Sequence, residues 1–166
     1  TKMMTRLLCL LTLCFALALS GRAAPVASLI TCGPSGEYVF TLYGHTAIRI
    51  TDPEEGYDLA YNYGDFDMQQ KHFITNFIIG KPMYRLGVVD FDALFYTYAA
   101  EGRSIVEQQL QMSTEEVEAL KAYLDHNALP ENAEYQYNYF FDNCATRPRD
   151  LIERFAGGEL IYKVDP

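Results

Sequence analysis

Positive charge is scarce in this 166-residue chain: 13 lysine and arginine side chains stand against 22 acidic ones, a formal charge of −9. A chain so balanced repels phosphate backbones, so no nucleic acid is expected as a partner. Patterned metal ligands are missing too. There is no CxxC and no HxxxH pair, the three histidines are dispersed, and Asp65-Phe66-Asp67 is the one loop carboxylate pair. Neither a metal nor any other cofactor is expected. The GxSxG elbow of a Ser/His/Asp hydrolase is also lacking. No repeat, low-complexity tract or long Gly/Ser/Pro linker divides the chain. With 49% hydrophobic and 21% charged residues, the composition excludes disorder and collagen, and the length suits one domain.

Long apolar runs are limited to the start. Leu7 to Leu19 is almost unbroken, but its 13 residues fall short of the roughly 20 a bilayer core requires. A basic start (Lys2, Arg6) precedes it, and the small residues Gly21 and Ala23 follow. This is the pattern of a secretory signal peptide over residues 1–23, leaving a mature domain over 24–166. Loss of Lys2, Arg6 and Arg22 with the signal leaves 10 basic against 22 acidic side chains. Cys9 and Cys14 leave as well, so the exported domain holds two cysteines, Cys32 and Cys144.

The mature chain mixes helix and strand patterns, an α+β class. Thr46 to Ile50 and Tyr57 to Tyr63 alternate around the turn cluster Asp52-Pro-Glu-Glu-Gly56, which predicts a hairpin. Helical spacing runs over Asp67 to Ile79, a strand over Tyr84 to Val89, and a buried aromatic helix over Phe91 to Ala100. Ser104 to Met112 reads as a strand with Val106, Leu110 and Met112 on one side. Ser113-Thr-Glu-Glu116 is a capping box opening an amphipathic helix with Val117, Leu120 and Leu124. An extended aromatic segment, Tyr135 to Phe141, leads through Asp142-Asn143-Cys144 to a helix over Ala145 to Phe155, stopped by Gly157-Gly158.

Cys144 is the leading candidate for chemistry. The start of a helix, with Arg147 and Arg149 close in sequence, lowers a thiol pKa and makes a nucleophile. Asp142 is a candidate cap for that helix. Of the histidines, His45 has the best setting for a general base, at the start of a rigid strand; His72 and His126 fall among polar neighbours on helices. Asn62, on the partner strand of the hairpin, is the candidate for orienting the imidazole, and Asp58, Asp65 and Asp67 are read as turn or surface carboxylates. Two other readings of the cysteines stay open: an inert Cys144, or a Cys32–Cys144 disulfide. Cys32 sits in a Gly/Pro loop and receives no catalytic role.

Five motifs together carry a family resemblance: Ser28-Leu-Ile-Thr-Cys-Gly-Pro-Ser-Gly36, Leu42-Tyr-Gly-His-Thr-Ala-Ile-Arg49, Tyr61-Asn-Tyr-Gly-Asp-Phe66, Glu101-Gly-Arg-Ser104, and Tyr139-Phe-Phe-Asp-Asn-Cys-Ala-Thr146 with Arg149-Asp150. In this order they resemble the Lnb N-terminal periplasmic domain family, exported proteins of Bacteroidetes and other Gram-negative bacteria. The resemblance implies kinship with the permuted papain-like (NlpC-type) group, a small antiparallel sheet with packed helices in which the histidine strand precedes the cysteine helix. It carries over His45 as base, Cys144 as nucleophile and, less directly, Asn62 as the third polar residue. It further implies a lipoprotein N-acyltransferase, longer than this chain and with membrane spans after the periplasmic domain. A phospholipid would donate its acyl chain through a Cys144 thioester to the N-terminal amine of a lipoprotein, at a membrane surface in the periplasm, with the oxyanion held by amides at the helix start. A peptidoglycan amidase or endopeptidase and a non-enzymatic envelope binding module with an aromatic groove are the alternatives.

Overall fold

The computed structural model describes residues 23–36, 42–66, 69, 72–158 and 161, with residues 73 and 74 described by backbone alone. Apart from Ala23, the signal peptide lies outside the described residues, as do Asp67 and Met68.

Six strands form one antiparallel sheet: β1 Val26–Cys32, β2 His45–Asp52, β3 Tyr57–Asp65, β4 Met83–Asp90, β5 Ile105–Gln109 and β6 Glu134–Gln136, in spatial order β5-β1-β2-β3-β4-β6. Among the described residues there are four helices: α1 Phe73–Ile78, α2 Phe91–Ala100, α3 Thr114–Asn127 and α4 Thr146–Phe155. The class is α+β, as the mixed patterning predicts.

Alternation along the strands gives the sheet two apolar faces. On one, Ile48, Ile50, Tyr61, Tyr63 and Leu86 pack with Val117, Leu120 and Leu124 of α3 and Leu151 of α4. Burying each such aliphatic side chain contributes about 1.5–3 kcal/mol. Two tyrosines of this face have their hydroxyls satisfied: Tyr61 donates to Asp125 and Tyr63 to Asn127, both at 2.5 Å. On the other face Ile30, Cys32, Ala47 and Ala60 meet Phe91 and Leu94 of α2. Arg49 closes that face, bonded to Asp58 at 2.7 Å and Glu107 at 3.0 Å and lying 3.8 Å over the Phe91 ring.

The hairpin turn is built by Asp52, whose Oδ1 accepts from the amides of Glu54 and Glu55, a local competition that stops a strand. The Ser113–Glu116 capping box is present in both directions.

Several expectations need correcting. Of the helix expected over Asp67 to Ile79, the described part is α1, which begins only after His72, whose left-handed conformation (φ 63°) a helix cannot continue through. The Phe91–Ala100 helix buries one face only, with Tyr96 on its exposed side. In β5 it is Ile105 that faces the core and Val106 that faces solvent, since pairing with β1 sets the phase. The aromatic segment after Tyr135 is strand only to Gln136, then folds into a tight turn bridged between Asn138 and Asp142. Cys32 is the last residue of β1 rather than a loop residue, paired in register with His45.

Candidate functional site at the end of the sheet

β2 begins at His45 because the residue before it must turn sharply: Gly44 has φ +73°, and a side-chain carbon there would lie 2.7 Å from the Cys32 carbonyl oxygen. His45 therefore enters the sheet at a fixed point, on the α2 face. Its Nε2 donates to Asn62 Oδ1 at 2.5 Å, one strand over on β3. That bond leaves Nδ1 as the acceptor nitrogen.

At the end of β3, the pairing with β4 slips between Tyr63 and Asp65, a bulge at Gly64, whose φ is +124°. The space a side chain would fill at Gly64 is bordered by His45 Cε1 at 3.4 Å, His45 Nδ1 at 4.0 Å and Cys144 Cβ at 3.6 Å. The missing side chain leaves one small space that the Cys144 side chain and the Cε1–Nδ1 edge of the imidazole both border. Across the sheet, the Thr46 hydroxyl donates to the Cys144 carbonyl. The strand carrying the base thus also fixes the backbone of the thiol residue. His45, Asn62 and Cys144 are brought together, although 17 and 82 residues separate them in sequence.

The imidazole stacks at 6.2 Å and 7° on Tyr98 of α2. Arg103 lies 4.2 Å over the same tyrosine and donates from Nε to the Gly33 carbonyl at 2.7 Å. Burial pushes the His45 imidazole down to about 4; the Asn62 hydrogen bond opposes this and the Arg103 charge adds to it. The ring is therefore neutral at neutral pH, able to accept a proton.

Cys144 is half-buried and Cys32 buried, and both thiols are free, so they form no disulfide. Burial pushes the Cys32 thiol up to about 11, with Arg103 pulling it down and Glu101 up. It stays protonated and unreactive.

The surroundings of Cys144 differ from expectation in three ways. It lies in the turn just before α4, two residues ahead of Thr146. Asn143, not Asp142, caps the helix: its Oδ1 accepts from the Ala145 and Thr146 amides at 2.9 and 3.0 Å, and its own amide donates to Thr146 Oγ1 at 2.8 Å. Asp142 instead pairs with Arg147 at 2.5 and 2.8 Å, and Arg147 lies 3.6 Å over Tyr135, while Arg149 pairs with Asp150. Arg147 is thus committed to Asp142 and Tyr135. Tyr137, absent from the sequence-derived candidates, brings its hydroxyl to 3.8 Å from Cys144 Sγ.

Asp58 and Asp65 are engaged with Arg49 and Arg85, and His72 and His126 are exposed, as their patterning suggests. Among the described residues no group of three His, Cys, Asp or Glu side chains could hold a metal ion. A recess of about 530 Å³ includes Asn62, but most of its other walls come from β4, with Arg85, and from the end of α3 to the start of β6, with Ala133 and Glu134.

A mixed α+β domain with a thiol, a neutral imidazole and a carboxamide gathered at one end of its sheet is thus defined by fold and site. The chain belongs to the Lnb N-terminal periplasmic domain family, whose model matches residues 27–164, and the domain is accordingly periplasmic. No curated protein and no solved structure matches it.

Proposed function

We propose that this domain is a thiol acyltransferase centre that takes an acyl chain from a phospholipid ester onto Cys144 and passes it to the N-terminal amine of a lipoprotein. The observation that carries the reading is the space at Gly64, bordered by Cys144 Cβ and by His45 Cε1 and Nδ1, while Asn62 holds Nε2. The histidine strand preceding the cysteine helix supports a place in the permuted papain-like group.

In the first half-reaction Cys144 Sγ bonds to the ester carbonyl carbon, and the thiol proton moves to His45 Nδ1. Collapse of the tetrahedral adduct breaks the C–O bond, and His45 returns the proton to the departing alkoxide, giving a lysophospholipid and a Cys144 thioester. In the second, the acceptor amine attacks the thioester, its proton passes through His45 to the sulfur, and an amide results. Asn62 holds the imidazole tautomer throughout.

A lipid donor, rather than cell-wall peptide, is favoured by what surrounds the thiol. Phe140 and Phe141, each 81% exposed, stand at the tip of the Asn138–Asp142 turn. Asn143, the residue before Cys144, ties itself to that turn by donating from Nδ2 to the Asn138 and Tyr139 carbonyls. Tyr43, 92% exposed, lies two residues before His45. Phe77 of α1 packs on Tyr139 at 6.2 Å, and α1 carries the exposed Ile78. Aromatic and aliphatic groups around a thiol suit an acyl chain and a membrane surface.

The test is acylation of the protein by a phospholipid carrying a labelled acyl ester. A hydroxylamine-sensitive label on the native chain, lost in Cys144→Ala and reduced at least about 100-fold in His45→Ala, is the expected result. Unchanged labelling in either variant overturns the proposal, and release of amino groups from purified cell wall without any labelling would favour an amidase instead.

A further inference from the structure

An ester carbonyl attacked by Cys144 places negative charge on its oxygen, and the site must supply donors for it. Amides at the helix start are the donors expected from the sequence, but they are already engaged. Asn143 Oδ1 takes those of Ala145 and Thr146, and the Arg147 amide bonds the Asn143 carbonyl at 3.1 Å. The Cys144 amide is the remaining amide of that turn.

We infer that the Tyr137 hydroxyl is the second donor, forming with the Cys144 amide the oxyanion hole of this site. The inference rests on the thioester chemistry proposed above and names the residue that stabilises its transition state. Two observations carry it. The hydroxyl stands 3.8 Å from Cys144 Sγ, within the distance at which an oxygen on the attacked carbon would meet it, and the other amides at the helix start are already taken, which leaves that of Cys144. A developing oxyanion between them would accept from both.

The hydroxyl is also held still, as electrostatic stabilisation demands. The Tyr137 amide donates to the Pro82 carbonyl at 2.9 Å, fixing the backbone just beyond β6. Its ring is clasped by Tyr84 at 4.3 Å, Tyr139 at 5.3 Å and Tyr135 at 6.2 Å. Thr46 fixes the other partner by binding the Cys144 carbonyl. Burial, together with the neighbouring Cys144 thiol, pushes the phenol well above its ordinary range. It therefore keeps its proton and remains a donor at every pH where the protein would work.

Tyr137→Phe keeps the ring and removes the donor. Two rates separate a donor role from a packing role: thioester formation with a labelled acyl ester, which passes through an oxyanion, and alkylation by iodoacetamide, which displaces iodide from a tetrahedral carbon and does not. Thioester formation is expected to fall about 100-fold or more with alkylation within about twofold of the native rate. Native-like thioester formation in Tyr137→Phe overturns the inference, as does an equal fall in both rates, which would make Tyr137 a residue that merely positions the thiol. Should the native chain itself form no thioester while its thiol alkylates normally, the acyl-transfer reading fails, and this inference with it.

Discussion

Burial fixes the protonation of His45. Its imidazole lies against Tyr98, and the guanidinium of Arg103 lies over that same ring, so protonation would bury a charge near another cation. The consequence is measurable. Because the folded value of about 4 lies below the ordinary 6.5, the unfolded chain binds a proton that the folded chain refuses as pH falls between them. Stability from this group is complete above about pH 6.5 and is lost as pH drops towards 4, by on the order of 3 kcal/mol at most. Denaturant titrations at pH 7 and pH 4.5 should show that loss, and His45→Ala should flatten it. Asn62 acts in the opposite sense, since its hydrogen bond raises the imidazole value. In Asn62→Ala the acid limb of the acylation profile should therefore move to still lower pH, while the rate falls about 100-fold through loss of ring orientation. An acid limb near pH 6.5 in the native chain would contradict the burial argument.

At the scale of elements, two helix caps in this fold do different jobs. Ser113 and Glu116 close the start of α3, and Glu116 also accepts from the Gly157 amide at 2.6 Å after α4. Asn143 closes the start of α4 and is the residue next to the thiol. Losing either side-chain cap costs about 1 kcal/mol. Ser113→Ala should lower the unfolding midpoint without changing thioester formation, whereas Asn143→Ala should lower the midpoint similarly and also slow thioester formation by at least about tenfold. Denaturation curves and labelling rates on the two variants check this. Equal activities would mean that α4 fixes Cys144 without its cap. Much at this scale was legible in the sequence. The capping box announced α3 because its two hydrogen bonds are local, and the β2–β3 hairpin followed from alternation around the Asp52 turn. Asn143 was missed because Asp142 and Asn143 are both good caps, and the choice was made by Arg147, which draws Asp142 away. The start of α1 was misjudged because spacing alone does not show that His72 turns left-handed.

For the whole molecule, the contrast is between an acidic chain of formal charge −9 and the exposed aromatic pair Phe140 and Phe141 on the turn that precedes Cys144. Among the described residues no helix is long and apolar enough to cross a membrane. Contact with lipid by this domain would therefore run through Phe140, Phe141 and their neighbours. The double variant Phe140→Ser/Phe141→Ser should bind vesicles of zwitterionic phospholipid at least about tenfold more weakly, in flotation assays, while a short water-soluble acyl ester still labels Cys144 at the native rate. Loss of both would implicate the turn in the structure of the site itself.

The sequence alone determined the α+β class and the family, and it singled out His45, Asn62 and Cys144 as candidates, because alternation, capping and motif order are local features written in neighbouring residues. Tertiary structure decided what those residues face. The register of β1 on β2 brings Cys32 beside His45, and the bulge at Gly64 opens the space that the Cys144 side chain and the imidazole both border. A ring of packed tyrosines holds the Tyr137 hydroxyl at Cys144. Such placements depend on strand register and side-chain packing between segments far apart in the chain, which no local pattern encodes.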